Sequence, residues 1–193
     1  MENASRGIKC GMEKPRWHVR SSTYIVESEF LRLRRDEIEL PDGRRIPDYF
    51  VRESPGFVVS FAMTDDDQVV VVHQYRYGAD RITLELPAGS IDAEEHALVC
   101  AQRELTEETG FTAEQWEEVL VTPSEPVRAD SMMHVFLARN AKLTHEQKLD
   151  LGEHLEWQLM PVDEFKRHLF EGSIGAVSSV AAGYAALHRL GRL

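Results

Sequence analysis

The chain has 193 residues, 42% apolar and 28% charged, a length suited to one domain with a sizeable core rather than two ordinary ones. No apolar run approaches the ~18 residues a membrane helix needs, and residues 1–12 lack the apolar stretch of a secretory signal, so no membrane span and a cytoplasmic location are expected. The net charge of −11 argues against a fold-wide basic footprint for nucleic acid, and two cysteines, Cys10 and Cys100, without ligand spacing argue against a disulfide framework or a cysteine metal site.

Residues 1–15 read as a flexible leader. From Trp17 the pattern turns to strands, with β-rich stretches at Thr23–Leu33 and Glu37–Leu40. Pro41-Asp42-Gly43 is a turn signal, and Arg45–Glu53 continues as a strand. These strands define an N-terminal region, 16–56, ahead of a main domain, 57–193. Phe57–Met63 and Val69–His73 are apolar strands, and the acidic run Thr64–Asp67 between them reads as a solvated turn. Ile82, Leu84 and Leu86 alternate in a short strand that stops at Pro87. A helix is predicted over Glu94–Thr109, with an apolar stripe of Leu98, Ala101 and Leu105 and with Gly110 as its stop. Further strands are expected at Glu118–Val121, Met132–Ala138 and Leu155–Met160. A short helix from Pro161 to Gly172 and a small-residue-rich helix over Ala176–Leu190 follow. Strands, helix, strands and two helices imply an α/β or α+β sandwich with a mixed β-sheet.

The chemistry concentrates at the end of the first helix. Glu104, Glu107 and Glu108 stand at i, i+3 and i+4 and share one face. They repel one another, and they sit in the last turn, where the helix dipole disfavours negative charge. A hard divalent cation would relieve that repulsion. The competing reading is a solvated acidic face balanced by Arg103.

The segment Gly89–Phe111 resembles the Nudix box: glycine, five residues, glutamate, seven residues, Arg-Glu, an apolar residue, any residue, Glu-Glu, any residue, glycine, an apolar residue. Gly89, Glu95, Arg103, Glu104, Glu107, Glu108 and Gly110 occupy every fixed position, with Leu105 and Phe111 at the apolar ones. At average residue usage such a match arises by chance about once in 10⁹ starting positions. The resemblance implies a Nudix-type α/β/α sandwich and Mg²⁺, with Mn²⁺ as a substitute. Glu104 and Glu108 would be the main ligands, with Glu107, Glu95 and the Ala88 carbonyl assisting. Arg103 would hold a box glutamate in place, and Gly89 would let the loop approach a diphosphate.

Gln74-Tyr75-Arg76-Tyr77 and Leu84-Glu85-Leu86-Pro87-Ala88-Gly89 resemble the ADP-ribose and nucleoside-diphosphate-sugar pyrophosphatase branch. That resemblance implies a phosphate contact from Arg76, a substrate role for Pro126, and a nucleobase-binding strand that carries Arg52 and Glu53, often across a homodimer interface. A surface charge is the other reading of Arg76, and an exposed strand pair the other reading of Arg52 and Glu53. Asp150–Trp157 resembles a late loop of the branch, whose catalytic glutamate aligns with Glu153; the bland reading is a solvated loop residue. His134 reads as a satisfied strand histidine, although it and Arg128 are candidates for the distal part of the substrate.

Three functions follow. The first is Mg²⁺-dependent hydrolysis of ADP-ribose or a related nucleoside diphosphate sugar to a nucleoside monophosphate and a sugar phosphate. The second is hydrolysis of another nucleoside diphosphate derivative, such as a dinucleoside polyphosphate or coenzyme A. The third is a nucleotide-sensing module without catalysis, which the intact set of box glutamates disfavours.

Overall fold

The computed structural model describes residues 16–28, 31–150 and 152–193, so the leader and Cys10 lie outside the described residues. The chain forms two compact units that divide after Glu53; the sequence pattern puts the division after residue 56.

The first unit is an antiparallel meander of β1 (His18–Glu27), β2 (Arg32–Glu39) and β3 (Arg45–Glu53). The β-rich stretch Thr23–Leu33 is divided between β1 and β2. The Ser28 hydroxyl accepts the Leu31 N–H at 3.1 Å, and the Ser28 N–H donates to the Leu31 carbonyl at 3.0 Å. A serine that bonds the backbone in this way competes with the strand ladder and turns the chain. The second turn falls at Pro41–Gly43 as expected, with the Asp42 carboxylate accepting the Arg44 N–H at 3.1 Å. Asp36 is buried in this sheet and bonded by Ser22 (2.6 Å) and Arg34 (2.9 Å).

The second unit contains β4 (Phe57–Ala62), β5 (Gln68–Arg76), β6 (Arg81–Glu85), β7 (Ala88–Ser90), α1 (Ala97–Thr109), β8 (Phe111–Thr112), β9 (Gln115–Pro123), β10 (Met132–Arg139), β11 (Lys142–Leu143), β12 (Leu155–Pro161), α2 (Val162–Glu171) and α3 (Val177–Arg189). One sheet runs β7-β4-β10-β9, with β4 and β10 parallel and the rest antiparallel. A second runs β12-β5-β6, and β11 pairs with β8. The sheet is therefore mixed, as expected.

The apolar runs in β4, β5 and β10 are continuous because both faces are covered. Val59, Phe61, Val69, Val71, Val135 and Leu137 point into one core with Phe165 and Leu169 of α2 and with Ala182, Ala186 and Leu187 of α3. Their neighbours Val58, Ala62, Val70, Phe136 and Ala138 point the other way, against Cys100, Ala101 and Leu105 of α1 and Phe111. This period-two alternation places α1 on one side of the strands and α2 and α3 on the other. Small residues let α3 lie close to its neighbours.

Three expectations shift. Helix α1 begins at Ala97 rather than Glu94, because Glu94 takes a left-handed conformation (φ 65°) inside a turn closed by Asp92 and Glu95. Its buried stripe runs through Cys100, Ala101 and Leu105, whereas Leu98 in the first turn is exposed. In β6 the alternation is real but Ile82 is exposed; Leu84 and Leu86 face the core, and the buried residues of the opposite face are Thr83 and Glu85.

Candidate active site

The box folds into a loop, the short strand β7 and helix α1, which brings its charged residues around Arg103. The Arg103 guanidinium donates to Glu95 (3.0 and 2.9 Å), Glu104 (2.7 Å) and Glu107 (3.0 Å). One cation thus holds three box glutamates, and its hydrogen bonds to them, those to Glu95 first, push the Arg103 pKa well up. The Arg103 bonds hold the Glu95 carboxyl down, to about 2. Oε2 of Glu95, which accepts from Arg103 Nη2, also accepts the Asp92 N–H at 3.1 Å, which ties the turn before α1 together.

Glu108 is different. It is only 3% exposed, it accepts the Ala88 N–H at 3.1 Å, and burial pushes its carboxyl well up, with Glu104 and Glu153 adding to the shift. Burial likewise raises Glu104, against the opposing pull of Arg103. The loop runs hard against these groups: a Cβ on Gly89 would fall 1.9 Å from Cδ of Glu104, so any other residue there would displace the Glu104 carboxylate. The C-terminal carbonyls of α1 are bonded by neutral groups. The Lys148 N–H reaches the Glu107 carbonyl (2.8 Å), and the Gln147 amide reaches that of Glu108 (2.6 Å). The segment leading to Glu153 is thereby fastened to the carboxylate helix.

A cavity of about 380 Å³ opens over this surface, with Arg76, Ala88, Gly89, Arg103, Glu104, Glu107 and Glu153 in its wall. Glu153 closes its own turn by accepting the Asp150 N–H at 3.0 Å. It also borders a second, more apolar cavity of about 340 Å³ against Tyr75 and Ile82. Arg76, at the end of β5, donates Nε and Nη2 to the two oxygens of Glu85 at 2.9 and 2.7 Å.

Of the residues singled out in the sequence, the structure brings Arg76, Ala88, Gly89, Glu95, Arg103, Glu104, Glu107, Glu108 and Glu153 together. Pro126 sits in an exposed turn beyond β9 and does not line this cavity. Arg52 and Glu53 belong to the first unit, where Glu53 is engaged by Arg34 and by the Tyr24 hydroxyl (2.8 Å). His134 is paired with Glu118 at 2.8 Å, as a satisfied strand histidine. Asp92, Lys148 and Asp150 also line the cavity, and Glu85 lies behind Arg76; sequence reasoning assigned none of them. Asp92 and Asp150 carried a usable signal, since each flanks a residue already under suspicion.

The donor set has the chemistry that a divalent cation takes. Among the cavity-lining residues five carboxylates (Asp92, Glu104, Glu107, Asp150, Glu153) face three cations (Arg76, Arg103, Lys148). Glu108 lies buried beneath them. All candidate donors are hard oxygens, the kind Mg²⁺ prefers. Among the described residues no three acidic, histidine or cysteine side chains converge in metal-holding geometry. Arg103 occupies Glu95, Glu104 and Glu107, and Glu108 turns to the Ala88 amide.

A family profile described as the NUDIX domain matches residues 55–178, and one described as the nucleoside diphosphate sugar hydrolase N-terminal domain matches residues 17–51. The chain is 32% identical to an ADP-ribose pyrophosphatase of Mycobacterium tuberculosis over 87% of this chain and 81% of the relative. It is 34% identical to an ADP-ribose pyrophosphatase of Bacillus subtilis over 68% and 71%. It is 32% identical to a methanol dehydrogenase activator of Bacillus methanolicus over 82% and 85%. The crystal structure of an ADP compounds hydrolase superposes with a TM-score of 0.79 over 94% of this chain and 98% of that chain, at 22% identity, a likeness of fold.

Proposed function

The chain belongs to the Nudix family and is a Nudix pyrophosphohydrolase, and on that premise we propose that it cuts the pyrophosphate bond of ADP-ribose or a related nucleoside diphosphate sugar, releasing a nucleoside monophosphate and a sugar phosphate. One observation carries this reading. The wall that gathers Glu104, Glu107 and Glu153 with the glycine loop and Arg76 is negatively charged, so a diphosphate enters it only in company with divalent cations.

Glu104 and Glu108 would hold Mg²⁺, with Glu107, Glu95 and the Ala88 carbonyl in support, and Mn²⁺ would substitute. When bound, such an ion neutralises the diphosphate and lowers the pKa of an attacking water. The chain's own groups do the rest. Arg103 orients the glutamates through its shared bonds. Gly89 admits the diphosphate close to the backbone. Arg76 donates N–H groups to its oxygens. Glu153, beside the cavity on a short turn, accepts the proton of the water. Arg52 and Glu53 would meet the nucleobase in a homodimer, and Pro126 would bound the substrate from the loop beyond β9. The expected setting is the cytoplasm. Among the described residues no helix is long and apolar enough to cross a membrane.

The test is a panel of ADP-ribose, other nucleoside diphosphate sugars and dinucleoside polyphosphates, incubated with Mg²⁺, Mn²⁺ or chelator and read as released phosphomonoesters. AMP and ribose phosphate should appear from ADP-ribose with metal and vanish with chelator. Tight binding of a panel member with no hydrolysis under either metal would convert the reading to a nucleotide-sensing module. Sedimentation at twice the monomer mass would support the homodimer.

A further inference from the structure

Arg76 and Glu85 end adjacent antiparallel strands, and their side chains meet on the face of the sheet turned toward α1. Glu85 is only 3% exposed, which is rare for a carboxylate and requires full pairing. It has that pairing. Two parallel N–H···O bonds come from Arg76, and the hydroxyl of buried Thr83 lies 2.5 Å from Glu85 Oε1 and 3.1 Å from the Gln74 carbonyl. A guanidinium has five N–H donors, so spending Nε–H and one Nη2–H on Glu85 leaves three, two of them side by side on the end edge of the fork.

We infer that Glu85, seated by Thr83, is a positioning residue that presents the free edge of the Arg76 guanidinium to the diphosphate and keeps Arg76 off the carboxylates that take the cations. The inference rests on the reading of this cavity as the diphosphate site. The charge balance makes such a device necessary. Arg76 is attracted by Glu108 and Glu153 as well as by Glu85. Freed from Glu85, it would swing toward those two and compete with divalent cations for them. Held by Glu85, its charge is already compensated, and it acts through directed hydrogen bonds rather than as a mobile cation. Thr83 completes the seat, because a carboxylate fixed by the arginine alone would rotate with it.

The experiment compares Arg76→Ala, Glu85→Gln, Thr83→Val and the double variant Arg76→Ala/Glu85→Gln. Turnover of ADP-ribose is measured across a Mg²⁺ titration, beside thermal melting. Arg76→Ala and Glu85→Gln should each lower kcat/KM by about 10- to 100-fold, the range for loss of an oriented contact. Glu85→Gln should also raise the Mg²⁺ concentration for half activity several-fold, an effect that a general loosening of the fold does not produce. The double variant should be no worse than Arg76→Ala, because Glu85 acts through that arginine. Thr83→Val, which preserves volume, should shift both readouts in the same direction by less, and it stands in should Glu85→Gln fail to fold. Losses that multiply in the double variant, or a normal Glu85→Gln beside an impaired Arg76→Ala, would overturn the inference alone. Full activity in Arg76→Ala would overturn the diphosphate reading with it.

Discussion

Helices α1 and α2 obey opposite electrostatic rules. Helix α2 carries Asp163 and Glu164 in its first turn and His168 in its last, the arrangement its dipole favours. Its buried stripe is Val162, Phe165 and Leu169, all apolar. Helix α1 has no acidic residue in its first turn and no basic one in its last, where Glu107 and Glu108 stand instead. Its buried face includes Glu108, a carboxylate whose burial works against its charge. Both helices cover apolar strands and share β12, so the need to cover a core does not explain the difference. A helix that only covers a core places charge where its own backbone is stabilised; a helix that grips cations, as proposed for α1, would give up that stability at the end meant for the ions. In α1 the loss is offset locally, by Arg103 beside three glutamates and by the Lys148 and Gln147 amides on the final carbonyls.

The contrast breaks first at Glu108. Glu108→Gln keeps the side chain's shape and an oxygen for the Ala88 N–H while removing the buried charge. Turnover should fall by about 10³-fold, the scale for loss of a group that stabilises transition-state charge. Melting of the metal-free protein should not drop, since an unfavourable buried charge has gone. Wild-type turnover in this variant would return α1 to the status of an ordinary covering helix. Gly89→Ala should come next, at about 10²-fold, because its Cβ would displace the Glu104 carboxylate by an ångström or more. Melting that falls while turnover holds would show that the close approach serves folding alone.

Much of this was legible in the sequence, and what was missed has a physical cause. The box spacing gave the carboxylate helix, its stop at Gly110 and the glycine loop, because i, i+3, i+4 spacing is fixed by helix geometry. Continuous apolar runs in Phe57–Met63 and Val69–His73 announced strands covered on both faces. Alternation at Leu84-Glu85-Leu86 does not reveal that Glu85 is buried, because the pattern alone puts a charged residue between two apolar ones on the opposite face without saying what covers it. Its burial depends on an arginine nine residues away across a hairpin, a pairing that no local pattern shows. Lys148 and Gln147 escaped for a similar reason, since they act through contacts with a helix that ends some forty residues earlier. The break inside the β-rich stretch Thr23–Leu33 also goes unseen, because the bond of the Ser28 hydroxyl to the Leu31 backbone leaves no mark in hydrophobic periodicity.

The Glu85 seat sharpens the contrast through pH. Burial alone would raise the Glu85 carboxyl, but bonds from Arg76 and Thr83 overcome it and hold the group below its usual value. A carboxyl depressed on folding contributes stability that is present above its unfolded value near 4.5 and lost as pH falls through the folded one. The gap in melting temperature between the wild type and Glu85→Gln should therefore be largest near neutrality and close as pH drops below about 4.5. A gap independent of pH would mean that the variant loses packing rather than a paired charge.

The smallest effect tests the structural helix. Asp163→Asn together with Glu164→Gln removes the first-turn charges of α2 and the exposed contacts of Glu164 with Arg167 (3.3 Å) and His168 (3.9 Å). The cost should be about 1 kcal/mol, most of it from the dipole and little from the surface pairs. For a chain of this length that lowers the melting temperature by about 2–4 °C. The deficit should shrink in high salt, which screens exposed charges, and turnover should stay at the wild-type level because these residues lie outside the cavity. The matched change in α1, Glu107→Gln, removes charge from a last turn and should not lower stability through the dipole, yet it should reduce turnover. If both double neutralisation in α2 and neutralisation in α1 moved stability alike and left turnover alone, the distinction between a helix that covers and a helix that binds would have no basis in their charges.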